Sequence, residues 1–96
     1  MRYFYRAHCT PEEVLGLARS FFSAHGSAPA VTEDRGRFTD HRGAVDVTVE
    51  IEGGHYTRVT AATDDVGESE IDRLAKRFLA ELHRIDEPSH QVRGAY

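Results

Sequence analysis

Six histidines and one cysteine are the side chains of this chain that could bind a metal ion or act as a nucleophile. They are His8, Cys9, His25, His41, His55, His83 and His90. Zinc sites draw such ligands from helical i, i+4 pairs or from short loops, and no pair of these histidines has either spacing. His8 and Cys9 are neighbours, but adjacent residues of a strand point to opposite faces. We therefore predict no metal site.

Cys9 could be a nucleophile because it precedes Thr10, a residue suited to capping a helix whose dipole would lower the thiol pKa. No histidine and orienting group stand in a recognisable arrangement with it, and a free cysteine is usually a small buried hydrophobe. Paired carboxylates at Glu12-Glu13, Asp64-Asp65 and Glu68/Glu70 all lie at predicted helix starts, where capping explains them. No glycine cluster has phosphate-loop spacing. We predict no catalytic residue, no enzyme activity and no cofactor.

The composition indicates the class of protein but does not identify a ligand. The 96 residues are 40% apolar and 29% charged, as in one soluble domain. The net charge of -4 makes nucleic acid an unfavoured partner, although five arginines could form a local basic stripe: Arg2, Arg6, Arg35, Arg37 and Arg58. One cysteine forms no internal disulfide, no apolar run approaches the ~20 residues of a membrane span, and the first residues lack a signal peptide. We expect a cytoplasmic protein without a membrane partner.

A strictly alternating segment defines the elements that must position any site. Val45, Val47, Val49 and Ile51 alternate with polar residues before Gly53-Gly54 turns the chain. Period-two alternation predicts a strand with one dry face and one wet face. An antiparallel sheet covered on one side is therefore expected.

Pairing of side chains predicts the register on both sides of this long strand. Toward the N-terminus, Phe38 opposite Val45 and Arg37 opposite Asp46 are compatible pairs. Toward the C-terminus, a three-residue loop Glu52-Gly53-Gly54 would set Val49 opposite Thr57, Thr48 opposite Arg58 and Glu50 opposite Tyr56. This loop is preferred because glycine supplies a positive φ.

Two helices are predicted to cover the dry face. Thr10-Pro11-Glu12-Glu13 is a complete helix start with a capping box, and we expect a helix from Pro11 to about His25, ended by Gly26. The acidic segment from Asp64 to Ser69 is expected to open a second helix. Its apolar face runs from Ile71 to Ile85, and Pro88 should end it.

The remaining assignments are a strand in Tyr3–His8 and two shorter strands at Ala30–Glu33 and Arg37–Asp40, around a turn at Asp34-Arg35-Gly36. Asp72 and Lys76 are expected on the solvated face of the second helix. We expect a single domain over residues 1–87 and a flexible tail over residues 88–96.

The order strand, helix, four strands, helix predicts an α+β fold. We expect a two-layer sandwich in which an antiparallel five-stranded sheet carries both helices on one face. Over residues 3 to about 86 this order resembles the TATA-binding-protein-like fold, which includes the helix-grip proteins. The resemblance implies that the first strand joins the sheet beside the last. It also implies binding on the curved sheet face, or between the sheet and the long helix.

Two binding surfaces follow from this arrangement. The wet sheet face would carry Arg2, Phe4, Arg6, Glu50, Tyr56 and Arg58, either as a plain solvated face or as an interface for a protein partner or a second copy. The alternative is a small apolar ligand under the second helix, in a cavity lined by Tyr3, Tyr5, Phe21, Phe38 and Phe78. We expect a non-enzymatic interaction module, with a homodimer through the sheet face or a sheet edge as one form of it.

Overall fold

Five antiparallel strands form one open sheet, and two helices complete the fold. The computed structural model describes residues 1–65 and 68–86. The elements are β1 (Arg2–Ala7), α1 (Pro11–Ala24), β2 (Ala28–Val31), β3 (Arg35–Asp40), β4 (Gly43–Glu52), β5 (Tyr56–Thr63) and α2 (Glu70–Asp86). The strand order is β1-β5-β4-β3-β2, so the first strand lies beside the last. The predicted α+β class and element order are confirmed.

The alternation along β4 separates a covered face from an open one. Val45, Val47 and Val49 are buried beneath the helices, and the polar residues between them lie on the other face. Ile51 was expected under the helices as well, but its side chain is 63% exposed. The expectation fails because β4 is the longest strand, and its last residues extend past the buried part of the covered face.

One of the two predicted registers is correct. Phe38 lies opposite Val45, as expected. Between β4 and β5, however, Val49 lies opposite Val59 rather than Thr57. Gly53 and Gly54 both adopt positive φ, at 64° and 75°, so the three-residue loop is Gly53-Gly54-His55, one position later than expected. The slip is two residues, and an even slip leaves every side chain on its predicted face.

The first helix begins and ends close to the predicted residues. Thr10 caps it and forms the capping box with Glu13. Gly26 follows with a φ of 91°, the left-handed conformation that stops a helix. The second helix begins at Glu70, directly after the acidic segment that was expected to open it. The hydroxyl of Ser69 caps this end by accepting a hydrogen bond from the amide of Asp72 at 3.1 Å. The predicted stop at Pro88 and the tail lie outside the described residues.

The short strands lie elsewhere than the sequence suggested. β2 covers Ala28–Val31 instead of Ala30–Glu33, and β3 begins at Arg35. Gly36 was expected in the turn, but it lies within β3, where a Cβ would approach two ring carbons of Phe38 to 2.8 Å. Glycine is therefore required there for packing rather than for a turn.

Aromatic rings fill the space between the sheet and the helices. Phe22 of α1, Phe38 of β3 and Phe78 of α2 are fully buried. The Phe22 ring stacks on Phe38 with centroids 4.7 Å apart and lies 5.2 Å from Phe78. Both helices therefore pack on the same face of the sheet, and the opposite face carries no helix.

Candidate functional site

The sheet face without helices is the candidate functional site, and we call it the open face. All six residues predicted for an interface lie on it. The side chains that carry its charges and aromatic rings or line its centre come from four strands: Arg2, Phe4, Arg6, Arg35, Arg37, Asp46, Thr48, Glu50, Glu52, Tyr56, Arg58, Thr60 and Ala62. The edge strand β2 contributes Ala28 and Ala30.

The strand registers arrange these side chains in rows across the sheet. The central row runs Phe4, Thr60, Thr48, Arg35 from β1 to β3. A shallow depression of about 660 Å³ lies over the centre of the face, and all four residues of this row line it. The centre of the open face is thus a shallow hollow, with small hydroxyl side chains in the middle and an aromatic ring and a cation at the two sides.

Ion pairs join several of the charged residues on the face. Arg37 contacts Asp46 across β3 and β4 at 2.6 Å, and Arg6 contacts Glu52 at 2.7 Å. Arg58 lies 3.8 Å from the other oxygen of Glu52. Because these pairs are partly exposed, each contributes little to the stability of the fold.

Two aromatic side chains stand out on this polar surface. Phe4 is 54% exposed, and the guanidinium carbon of Arg58 lies 4.7 Å above the centre of its ring. Tyr56 is 42% exposed, and its ring meets that of His8 at 5.3 Å. The cation–π contact orients Arg58, and the Phe4 ring stays more than half exposed beside it.

The open face is electropositive although the whole chain is negative. Its five arginines outnumber its three carboxylates, a formal excess of two positive charges against -4 for the chain. Within residues 1–65 and 68–86, no ion pair involves Arg2 or Arg35. These two guanidinium groups are therefore available to an anionic or aromatic group on a partner.

Asp86, at the last position of α2, holds the end of β1 in place. Its carboxylate, 5% exposed, accepts hydrogen bonds from the backbone amides of His8 at 3.0 Å and Cys9 at 3.2 Å, and from the Tyr5 hydroxyl at 3.2 Å. Burial by itself would raise the pKa of Asp86, but the hydrogen bonds from Cys9, His8 and Tyr5 outweigh it and hold the pKa below its usual range.

The same contact decides the chemistry of Cys9. Burial, followed by the hydrogen bond from its thiol to Asp86, raises the pKa of Cys9 to about 11. The expected effect of the helix dipole would have the opposite sign. The thiol is therefore protonated near neutral pH, which agrees with a structural rather than a nucleophilic cysteine.

Asp72 corrects a prediction about the outer face of α2. It was expected to be solvated beside Lys76, but it is fully buried and accepts hydrogen bonds from the hydroxyls of Tyr3 at 2.5 Å and Thr63 at 3.2 Å. The hydrogen bond to Asp72, with some burial, raises the pKa of Tyr3 to about 12. A signal for both aspartates exists in the sequence: the spacing 72, 75, 79, 82, 86 follows the buried stripe of the helix.

The five residues predicted for a ligand cavity occupy different surroundings. Tyr3 and Tyr5 bind the carboxylates of α2 at opposite ends of the helix. Phe38 and Phe78 lie in the aromatic core, and the ring of Phe21 lies 5.8 Å from Phe78. The ligand-cavity hypothesis remains a prediction.

In the part of the chain that the structure describes, no three histidine, cysteine or acidic side chains are grouped so that they could hold a metal ion. Neither helix there is long and apolar enough to cross a membrane. Comparison of the sequence with protein-family models and with curated proteins finds no match.

Proposed function

We propose that this chain is a non-enzymatic protein-interaction module that self-associates through its open face. The observation that carries the proposal is Phe4, which is 54% exposed at one side of the depression in the open face and has Arg58 stacked on it. Aromatic and arginine side chains are the residues most enriched at interface hot spots. The TATA-binding-protein-like resemblance, which implies binding on the curved sheet face, supports the same surface.

The edges of the sheet are less suited to self-association than its face. The amide of Thr63 donates to the carbonyl of Met1, so the backbone groups of Met1 point toward β5. Because the backbone groups of successive strand residues alternate in direction, those of Phe4 point toward the free edge. Pairing two copies of β1 around Phe4 would, however, set Arg2 opposite Arg6 of the other copy, and like charges directly opposite are destabilising.

The other edge is protected by proline. The amide of Thr32 donates to the carbonyl of Arg35 at 2.7 Å, which makes Pro29 one of the residues that point outward from β2. Proline has no N–H to offer an incoming strand. Both edges thus disfavour extension of the sheet, and the face is the better surface.

The state of Cys9 supports a role without catalysis. Its pKa of about 11 leaves almost no thiolate at neutral pH, and its thiol contacts a carboxylate rather than an activating base. The single cysteine, which needs no oxidising compartment, supports the cytoplasm as the place of action.

Sedimentation velocity and light scattering across a concentration series test the proposal. We expect a monomer–dimer equilibrium from about 10 μM to about 1 mM, because a small interface gives a modest affinity. Phe4→Ser should weaken the dimer at least about tenfold. Ile51→Ser is the matched control, since Ile51 is 63% exposed on the same sheet but faces the other side. Wild-type protein that stays monomeric, or equal loss in both variants, would refute the proposal.

A further inference from the structure

We infer that the open face binds a second copy of this chain face to face, about a two-fold axis that runs parallel to the strands between β4 and β5. The inference rests on the proposed function and adds a specific register to it. It follows from the distribution of charge on the open face.

This two-fold axis exchanges the strands on its two sides. Each residue keeps its position along the strand direction. The axis therefore places β5 of one copy over β4 of the other. In the central row, Thr60 lies over Thr48 of the second copy. In the next row, Arg58 lies over Glu50 of the second copy, and symmetry repeats the contact. Packed sheets stay within about 30° of alignment, so these pairs next to the axis are the best defined.

The outer strands are complementary as well. Phe4 of β1 lies over Arg35 of the second copy, a cation with no ion pair inside its own chain over the described residues. Arg2 lies over Arg37 of the second copy, but Asp46 already neutralises Arg37 at 2.6 Å. The register thus pairs the aromatic ring with an available guanidinium and leaves one like-charge contact that is screened within the chain.

The other face-to-face symmetry lacks this complementarity. The alternative axis lies in the interface, perpendicular to the strands, and passes over the Thr48 row. It places each strand over the same strand of the second copy, with the strand direction reversed about that row. Arg35, which has no ion pair over the described residues, then lies over Arg35 of the second copy, and Asp46 lies over Glu50 of the second copy. Both contacts join like charges, which costs binding energy in a desolvated interface.

The area of the face is compatible with a modest dimer. Four strands overlap in this register, because β2 has no strand of the second copy opposite it. At ~4.8 Å spacing, and with lengths averaging about 7.5 residues at ~3.3 Å, they give a face of roughly 19 by 25 Å. Two such faces together cover roughly 950 Å², which is below the lower limit of about 1,200 Å² for stable specific interfaces and in the range of weak, transient ones. In so small an interface, loss of the charge pairs should change the dimerisation affinity measurably.

Charge reversal at Glu50 and Arg58 tests the register. We expect Glu50→Arg and Arg58→Glu each to weaken self-association at least about tenfold, because each creates two like-charge contacts across the axis. An equimolar mixture of the two variants should form a heterodimer within about threefold of the wild-type affinity, since every altered contact is then between opposite charges. The double variant Glu50→Arg/Arg58→Glu should dimerise by itself for the same reason.

The matched control mixes Glu12→Arg with Arg58→Glu. It carries the same net charges, but Glu12 is exposed on α1 away from the open face, and one contact between Glu50 and the new glutamate remains repulsive. Circular dichroism confirms that each variant is folded. Restoration in the test mixture and not in the control supports the register, and equal results in the two mixtures overturn it. A wild-type dimer that Phe4→Ser weakens but that neither mixture restores overturns the register and leaves the proposed function standing. A monomeric wild type overturns both.

Discussion

Replacing Asp86 by asparagine should strongly destabilise the fold. The buried carboxylate accepts hydrogen bonds from two backbone amides, of His8 and Cys9, and from the Tyr5 hydroxyl. Hydrogen bonds to a charged group contribute about 1.5–3 kcal/mol each, against about 0.5–1.5 for neutral partners. Loss of the charge on three such bonds, together with an amide NH₂ that accepts none, lowers the free energy of unfolding by about 3 kcal/mol. At about 4–8 °C per kcal/mol, the Tm should fall by about 12–24 °C.

Urea and thermal unfolding followed by circular dichroism measure this effect. Glu81→Gln is the control, because it makes the same chemical change on the same helix at an exposed ion pair with Arg84, 2.5 Å away. Exposed pairs contribute little, so we expect no resolvable change in Tm for the control. An Asp86→Asn variant within about 0.5 kcal/mol of the wild type would refute the assigned role.

The same variant has a pH signature. Since the pKa of Asp86 is lowered by folding, the unfolded chain binds the proton more readily than the folded one. The stabilisation is therefore present above the unfolded pKa, near 3.8, and is lost as pH falls through the folded value. Between pH 7 and pH 3 the wild type should lose more stability than Asp86→Asn. Parallel acid profiles of the two proteins would contradict this account.

Two further predictions concern packing and thiol reactivity. Gly16→Ala lies in α1 with no atom within 4 Å of the new Cβ, and it should stabilise the protein by about 0.5–1 kcal/mol. Gly36→Ala would place a Cβ 2.8 Å from the buried Phe38 ring, and it should destabilise the protein by about 1–3 kcal/mol. Urea titrations measure both changes. A Gly36→Ala variant at least as stable as the wild type would show that packing against Phe38 does not matter. Cys9, whose pKa is about 11 against an ordinary 9.0, should react with iodoacetamide on the order of 100-fold more slowly in the folded protein than in urea. Equal rates in the two states would show that the thiol is not held protonated.

Local patterns predicted most of the elements for identifiable reasons. The Thr10 capping box and Gly26 determine the ends of α1 through contacts within a few residues. The alternation in β4 separates the two faces of the sheet regardless of exact pairing. The open face was therefore predictable, and so was the placement of Phe4 and Arg58 on it.

Long-range contacts decided what these patterns could not. Gly36 looks like a turn residue in isolation, but the ring of Phe38 requires a residue without Cβ inside the strand. The spacing of Asp72 and Asp86 places them on the buried stripe of α2, but nothing local identifies the tyrosines, 69 and 81 positions away in the chain, that bind them in the interior. A carboxylate is stable there because distant donors satisfy it, and no local pattern encodes those donors.

The sequence by itself determined which side chains share a face, because the period of a strand or helix is a property of the backbone. The tertiary structure decided the β4–β5 register, the buried aspartates and the rows of charge on the open face. Each of these depends on which segments are in contact in the folded protein. The free energy of those tertiary contacts is distributed over many residues that are far apart in the chain.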